Sequence, residues 1–131
     1  MTDLHKALYQ FWSGFSSDGK PLPAYLKGHV PANTAFPYIA FEVVEGGAFG
    51  STVLTAYGWF KAESGLNVNE QIAAFLDQVK AAIPPGGVKL RSGAGVAILY
   101  PNSSGFLSRM DDETNRDITA GRVSYEIYYY E

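Results

Sequence analysis

The 131-residue chain contains no cysteine and only two histidines, His5 and His29. Without cysteine it can form no disulfide bond, zinc ribbon or iron–sulfur cluster, and it has no thiol nucleophile. Two histidines also argue against a multi-histidine metal site. Charged residues make up only 18% of the chain while hydrophobic residues make up 47%, a balance that excludes a disordered protein.

Basic residues are scarce as well, since ten Lys and Arg stand against thirteen Asp and Glu and the net charge is −3. A dedicated nucleic-acid binder needs a basic surface that displaces counterions, so this class is disfavoured. No run approaches the roughly 18 consecutive apolar residues of a membrane span. The first residues also lack the basic region and apolar run of a signal peptide. We therefore expect a soluble protein made in a cytoplasm.

Aromatic residues, by contrast, are abundant. Nine Tyr, eight Phe and two Trp give 15% of the chain. Such side chains are enriched on sheet faces and in protein–protein contacts. The length fits one domain that spans residues 1–131.

Two segments follow the helical period. In the first, Leu4, Leu8, Phe11 and Phe15 recur at steps of four, three and four, which is one face of an amphipathic helix ending near Gly14. The second runs from 68 to 83. Asn67 and Glu70 form a capping box before it, and the Pro-Pro-Gly-Gly run at 84–87 ends it.

Strands are predicted where β-branched and aromatic residues cluster or alternate with other residues. The predicted spans are 38–45, 52–62, 88–90, 95–100 and 122–130, with a short candidate at 24–26. Segments 16–33 and 101–115 are interpreted as irregular, and 46–50 as a hairpin turn. In the strand at 52–62, Gly58 is expected to let a neighbouring group approach closely. The predicted fold class is α+β, with two helices packed on a mainly antiparallel sheet of about four strands, in the order α-β-β-α-β-β.

The last predicted strand carries aromatic residues on both faces, because Tyr128 and Tyr130 oppose Tyr125 and Tyr129. Two helices can hardly cover both faces of a four-stranded sheet. We therefore expect part of this surface to meet another subunit.

No motif in the sequence indicates a catalytic, cofactor-binding or metal-binding residue. The glycines at 46–50 lack the lysine and helix of a phosphate-binding loop, and no serine lies in a Gly-x-Ser-x-Gly pattern. No spacing supports a glycosidase pair among the glutamates at 42, 45 and 63. The acidic cluster at 111–117, flanked by Arg109 and Arg116, lacks the spacing of a calcium loop and is interpreted as a solvated or partner-facing loop.

Three regions resemble a known family. They are LYQFW at 8–12; VP at 30–31 followed by FPYIAF at 36–41; and SGFLSRMD at 104–111, followed by RD at 116–117 and GRVSY at 121–125. Together they are similar to small head–tail joining proteins of long-tailed bacteriophages and prophages, of the tail terminator or tail completion type. The motifs are diffuse and mark the fold rather than a chemical site.

The resemblance implies a structural protein without enzymatic activity or cofactor, found in the virion tail or neck and assembled in the bacterial cytoplasm. It implies a homo-oligomer, a hexameric ring, that caps the tail tube, docks to a neck or head-closure protein, and lets DNA pass without specific binding or any membrane contact. The candidate interface residues for subunits or partners are Phe49, Phe106, Leu107, Arg109, Met110, Asp111, Asp112, Glu113, Arg116, Tyr128 and Tyr130.

Two alternatives remain open at this point. One is a head-closure or adaptor protein of the same virion module, which would bind the portal side. The other, from a different class, is a small ligand-binding or hydrolytic domain with a cleft beside the sheet.

Overall fold

Two helices and nine strands make up the regular part of the chain that the structure, a computed structural model, describes: residues 3–17, 19–44, 52–62, 67–92, 95–101, 107–111 and 117–130. The helices are α1 (Asp3–Trp12) and α2 (Val68–Ala82). The strands are β1 (Ser16–Ser17), β2 (Lys20–Pro21), β3 (Ala24–Leu26), β4 (Tyr38–Val44), β5 (Thr52–Lys61), β6 (Val88–Ser92), β7 (Gly95–Pro101), β8 (Leu107–Asp111) and β9 (Ile118–Tyr130).

Helix α2 begins where the sequence predicts. The Asn67 side chain accepts hydrogen bonds from the backbone N–H groups of Asn69 at 3.0 Å and Glu70 at 3.3 Å. These bonds satisfy two donors that have no partner within the helix. The N–H of Ile83 closes the last turn on Val79 O at 2.9 Å, and the prolines that follow cannot continue the ladder.

Seven strands form one sheet in the order β3-β4-β5-β9-β7-β6, with β8 also paired to β9. The pairs are antiparallel except β3 with β4, which run parallel. The long strand β9 lies at the centre. One of its edges pairs with β5, and its other edge pairs first with β8 and then with β7. Strands β1 and β2 form a separate two-stranded sheet.

The prediction of about four strands in the order α-β-β-α-β-β is wrong. Segment 107–111, interpreted as irregular, is β8, and β9 begins at Ile118 rather than at Arg122. Segment 16–33, also interpreted as irregular, contains β1 and β2, whereas the short strand predicted at 24–26 is confirmed as β3. Short strands of this kind draw their hydrogen bonds from neighbours that are distant in sequence, so their local residue pattern carries little signal.

Both helices pack on one face of the sheet, here called the inner face. Helix α1 contacts β6 and β7 near one end of the strand order and β3 at the other, so the sheet curls around it. Helix α2 lies over β5 and β9. The largest fully buried side chains of this core come from both helices, the inner face and the β2–β3 connection: Trp12, Phe41, Phe60, Phe75, Leu8, Leu22, Ile39, Leu54, Leu99, Val79 and Val123.

The predicted close approach at Gly58 is confirmed. A Cβ atom built at Gly58 would lie 2.7 Å from the Phe75 ring, nearer than real Cβ atoms come to another group. Gly58 therefore lets the buried ring of Phe75 rest directly on the sheet.

Candidate functional site

The face of the sheet that points away from the helices is here called the outer face. Along every strand, residues that point to the outer face alternate with residues that point into the core. On β9, Val123, Tyr125 and Ile127 are buried in the core, whereas Glu126 and Tyr128 point to the other side. The cross-strand register extends this face over the neighbouring strands. Both helices contact the inner face, so neither of them covers the outer one.

One end of the outer face carries the two large hydrophobic side chains that stand out as exposed in the described part of the chain. Val44 is 54% exposed and Tyr128 is 44% exposed. Val44 lies opposite Val53, and Val53 lies opposite Glu126. Glu126 lies opposite Tyr100, and Tyr128 lies opposite Ile98. The outer patch is therefore one contiguous surface across four strands, formed by Val44, Val53, Ile98, Tyr100, Glu126 and Tyr128.

Four residues of the outer patch line an open, shallow pocket of about 470 Å³: Ile98, Tyr100, Glu126 and Tyr128. They form two cross-strand pairs on adjacent rows of the β7–β9 ladder. The rings of Tyr100 and Tyr128 meet edge to face, with centroids 5.7 Å apart and an interplanar angle of 76°. The pocket thus combines aromatic walls with one carboxylate.

Gly87 leaves room for the ring of Tyr100 to lie close to the backbone. A Cβ atom at residue 87 would lie 2.7 Å from the Tyr100 ring and 2.9 Å from the Leu99 carbonyl oxygen. Gly87 has a φ of +86°, a conformation that L side chains rarely adopt. The turn before β6 and the pocket wall therefore both require glycine here.

A second aromatic cluster occupies the opposite end of the outer face. Tyr57 and Trp59 stack on β5 with centroids 6.1 Å apart, and Tyr38 meets Tyr25 edge to face at 6.1 Å. The Lys27 ammonium lies 5.2 Å from the Tyr57 ring centroid and 3.5 Å from the Glu42 carboxylate. Tyr57 is only 8% exposed.

Tyr125 illustrates the contrast between the two faces. It lies on the inner face and is 5% exposed. Burial removes water from its hydroxyl and raises the pKa of Tyr125 above its ordinary value. Tyr128, three residues along the same strand, lies on the outer face.

The predicted interface residues divide into three groups. Tyr128 lies in the outer patch. For Leu107, Arg109, Met110, Asp111 and Tyr130 the structure describes the backbone. The first four belong to β8, which pairs with the first half of β9, and Tyr130 lies opposite Val96. Phe49, Phe106, Asp112, Glu113 and Arg116 lie outside the described residues, and so does the hairpin at 46–50.

Sequence reasoning missed most of the outer patch: Val44, Val53, Ile98, Tyr100 and Glu126. Alternation along a strand can assign a residue only to one of the two faces of that strand. Only the register between strands brings them together, and no single-strand pattern reports that register.

The structure describes only some of the groups considered for chemistry. His29 is exposed and lies in the connection between β3 and β4, and Glu42 pairs with Lys27. Glu45 and Glu63 lie outside the described residues. Within the described ranges, no three His, Asp or Glu side chains gather in a way that could hold a metal ion. Neither described helix combines the length and the apolar character that a membrane crossing requires.

Comparison of the chain with protein-family models, curated proteins and solved structures finds no match.

Proposed function

We propose that the protein is a structural subunit of a phage or prophage head–tail junction, of the tail terminator type. In this role it assembles with copies of itself into a ring that caps the tail tube and joins it to the neck. The type of protein, the hexameric number and the partners follow from the resemblance of segments 8–12, 30–41 and 104–125. The outer patch supplies a surface with which such a subunit can meet its neighbours.

The proposal rests on the observation that two exposed hydrophobic side chains, Val44 and Tyr128, lie on the same face and at the same end of the sheet. Single exposed hydrophobic residues are ordinary on protein surfaces. A contiguous apolar surface with a polar group at its centre is typical of protein contacts, in which tyrosine is enriched.

The geometry of a ring is compatible with this surface. A ring forms when one patch of each subunit contacts a different patch of the next and the rotation closes. The mildly acidic chain also suits a lumen through which DNA slides, since carboxylates repel phosphate.

The test is capping of tail tubes, imaged by negative-stain electron microscopy after the purified protein is added to purified tubes. The proposal expects a ring at one tube end with the wild type. It expects fewer capped ends with the double variant Val44→Thr/Tyr128→Ser. Lys80→Ser, on the exposed side of α2, is the matched control and should cap as the wild type does.

Two outcomes would contradict the proposal. Uncapped tubes at saturating wild-type protein would exclude the tail-tube role. Binding to a purified portal complex instead of the tubes would favour the head-closure or adaptor alternative. Far-UV circular dichroism of each variant separates loss of binding from loss of folding.

A further inference from the structure

We infer that the pocket lined by Ile98, Tyr100, Glu126 and Tyr128 binds the guanidinium group of an arginine side chain that a neighbouring protein chain presents. The inference rests on the proposed function, because it names the chemistry of the contact that the outer patch makes. Apolar burial is not directional, so it cannot by itself fix how two protein chains are oriented at the outer patch. A guanidinium group bound at Glu126 would fix that orientation.

The charge of the pocket is the first argument. Glu126 is its acidic residue, and its cross-strand neighbours, Tyr100 and Val53, are both uncharged. The nearest outward-facing cation on β9 is Arg122, four residues away, which is about 13 Å along a strand. On β6, Lys89 lies opposite Ile98 on the same face, but in the described part of the chain no salt bridge joins it to Glu126. Among the described residues the salt bridge is that of Lys27 with Glu42, in a different row of the sheet. The Glu126 carboxylate is therefore available to a cation from outside.

The aromatic walls are the second argument. Cations are attracted to the faces of tyrosine rings, and the planar guanidinium group also stacks on them. In the edge-to-face arrangement of Tyr100 and Tyr128 the edge of one ring covers one face of the other, and this contact leaves the remaining ring faces uncovered. A guanidinium group that lies against one of those remaining faces can contact a π-surface and donate to Glu126 at the same time. Lysine would gain the charge contact but not the bidentate hydrogen bonds.

The rigidity of the pocket is the third argument. The ring of Tyr100 lies close to the backbone at Gly87, and Ile98 lies opposite Tyr128 in the ladder. Side chains on hydrogen-bonded strands lose little conformational entropy when a ligand binds, and this lowers the free-energy cost of binding. The volume of about 470 Å³ leaves room for a long side chain.

The decisive experiment is an NMR titration of the protein with N-acetyl-arginine methylamide, compared with the neutral isostere N-acetyl-citrulline methylamide. The inference expects shifts of the Ile98, Tyr100, Glu126 and Tyr128 resonances with the arginine probe, and binding at least about tenfold weaker with citrulline. Equal binding of the two probes would overturn it, and this comparison requires no mutation.

Two variants sharpen the result. Glu126→Gln keeps the shape of the side chain and removes its charge, so it should weaken the arginine probe about tenfold. Glu42→Gln, whose carboxylate already pairs with Lys27, should leave the affinity unchanged. Unchanged affinity in a folded Glu126→Gln protein would also overturn the inference.

The titration is independent of assembly. Arginine binding in a protein that never caps tubes would contradict the proposed function and leave the pocket chemistry intact. Capping of tubes by a protein that binds the arginine and citrulline probes equally well would overturn the inference about the pocket and leave the proposed function intact. If both hold, free arginine probe should reduce capping and the citrulline probe should not.

Discussion

Gly58 and Gly121 face each other across the β5–β9 ladder, directly beneath helix α2. Both hypothetical Cβ atoms point at the same helix, toward Phe75 from Gly58 and toward Ile72, Leu76 and Phe75 from Gly121. The pair therefore makes a depression in the centre of the sheet. Because the Phe75 ring fills it, α2 can approach the sheet and close the inner side of the core.

A side chain at Gly58 should destabilise the protein. We expect Gly58→Ala to cost about 1–3 kcal/mol, since the added methyl group would lie 2.7 Å from a ring that is itself buried. The measurement is the free energy of unfolding in urea. Gly86→Ala is the control, because a Cβ atom there meets nothing within 4 Å. Equal stability of Gly58→Ala and the wild type would show that α2 does not rest on the sheet as described.

Gln78 ties the two-stranded sheet to helix α2. Its Nε2 donates to the Ser16 carbonyl at 2.7 Å, and its Oε1 accepts from the Ser16 N–H at 3.3 Å. We expect Gln78→Ala to lower the protection of the Ser16 amide, since the loss of a net hydrogen bond is worth about 0.5–1.5 kcal/mol. Amide hydrogen exchange checks this, with Lys80→Ala as the matched change on the exposed side of the same helix. An unaltered exchange rate of the Ser16 amide would show that the hydrogen bonds of Gln78 do not hold the two-stranded sheet against α2.

The cap of α2 should contribute measurably to stability. Asn67→Ala is expected to cost about 1 kcal/mol, because the N–H groups of Asn69 and Glu70 lose their acceptor. Asn67→Asp should retain most of the stability, since a carboxylate accepts the same bonds and also favours the helix N-terminus. Thermal unfolding of the two variants provides the test. A loss in Asn67→Asp as large as in Asn67→Ala would mean that the side chain acts otherwise than as a cap.

Tyr125 should make the fold sensitive to alkaline pH. Burial raises its folded-state pKa above the ordinary value near 10, so the folded protein retains this proton where the unfolded chain loses it. The contribution of the raised Tyr125 pKa to the free energy of unfolding is fully present below about pH 10. It is lost as the pH rises through the folded-state pKa of Tyr125. Tyr125→Phe should therefore lose less stability than the wild type between neutral and strongly alkaline pH. Parallel stability curves for the two proteins would contradict this.

The regular elements with strong local signals could be predicted from the sequence. The cap at Asn67, the helical period of α2 and the β-branched and aromatic residues of β4 and β5 are signals that each depend on residues close together in the chain. By contrast, β8 contains Ser108, Arg109 and Asp111, a composition that is typical of a loop. It becomes a strand because the first half of β9 offers it hydrogen-bond partners. That is why the predicted sheet was too small.

The candidate site could be predicted only in part. Tyr128 was identified because aromatic residues on both faces of one strand exceed what a core can bury. Glu126 and Tyr100 carried no such signal, since a single outward glutamate or tyrosine is ordinary on a strand. Their pairing in the register of β7 with β9 makes the pocket, and the register is a property of the assembled sheet.

The central claim is that the outer patch joins subunits, and sedimentation velocity of the purified 131-residue chain over a concentration series tests it most directly. We predict a closed oligomer of fixed size whose population increases with concentration in the wild type, and a shift toward monomer in Val44→Thr/Tyr128→Ser. Lys80→Ser should assemble as the wild type does. A wild type that stays monomeric up to its solubility limit, or a double variant that assembles equally well, would contradict the claim.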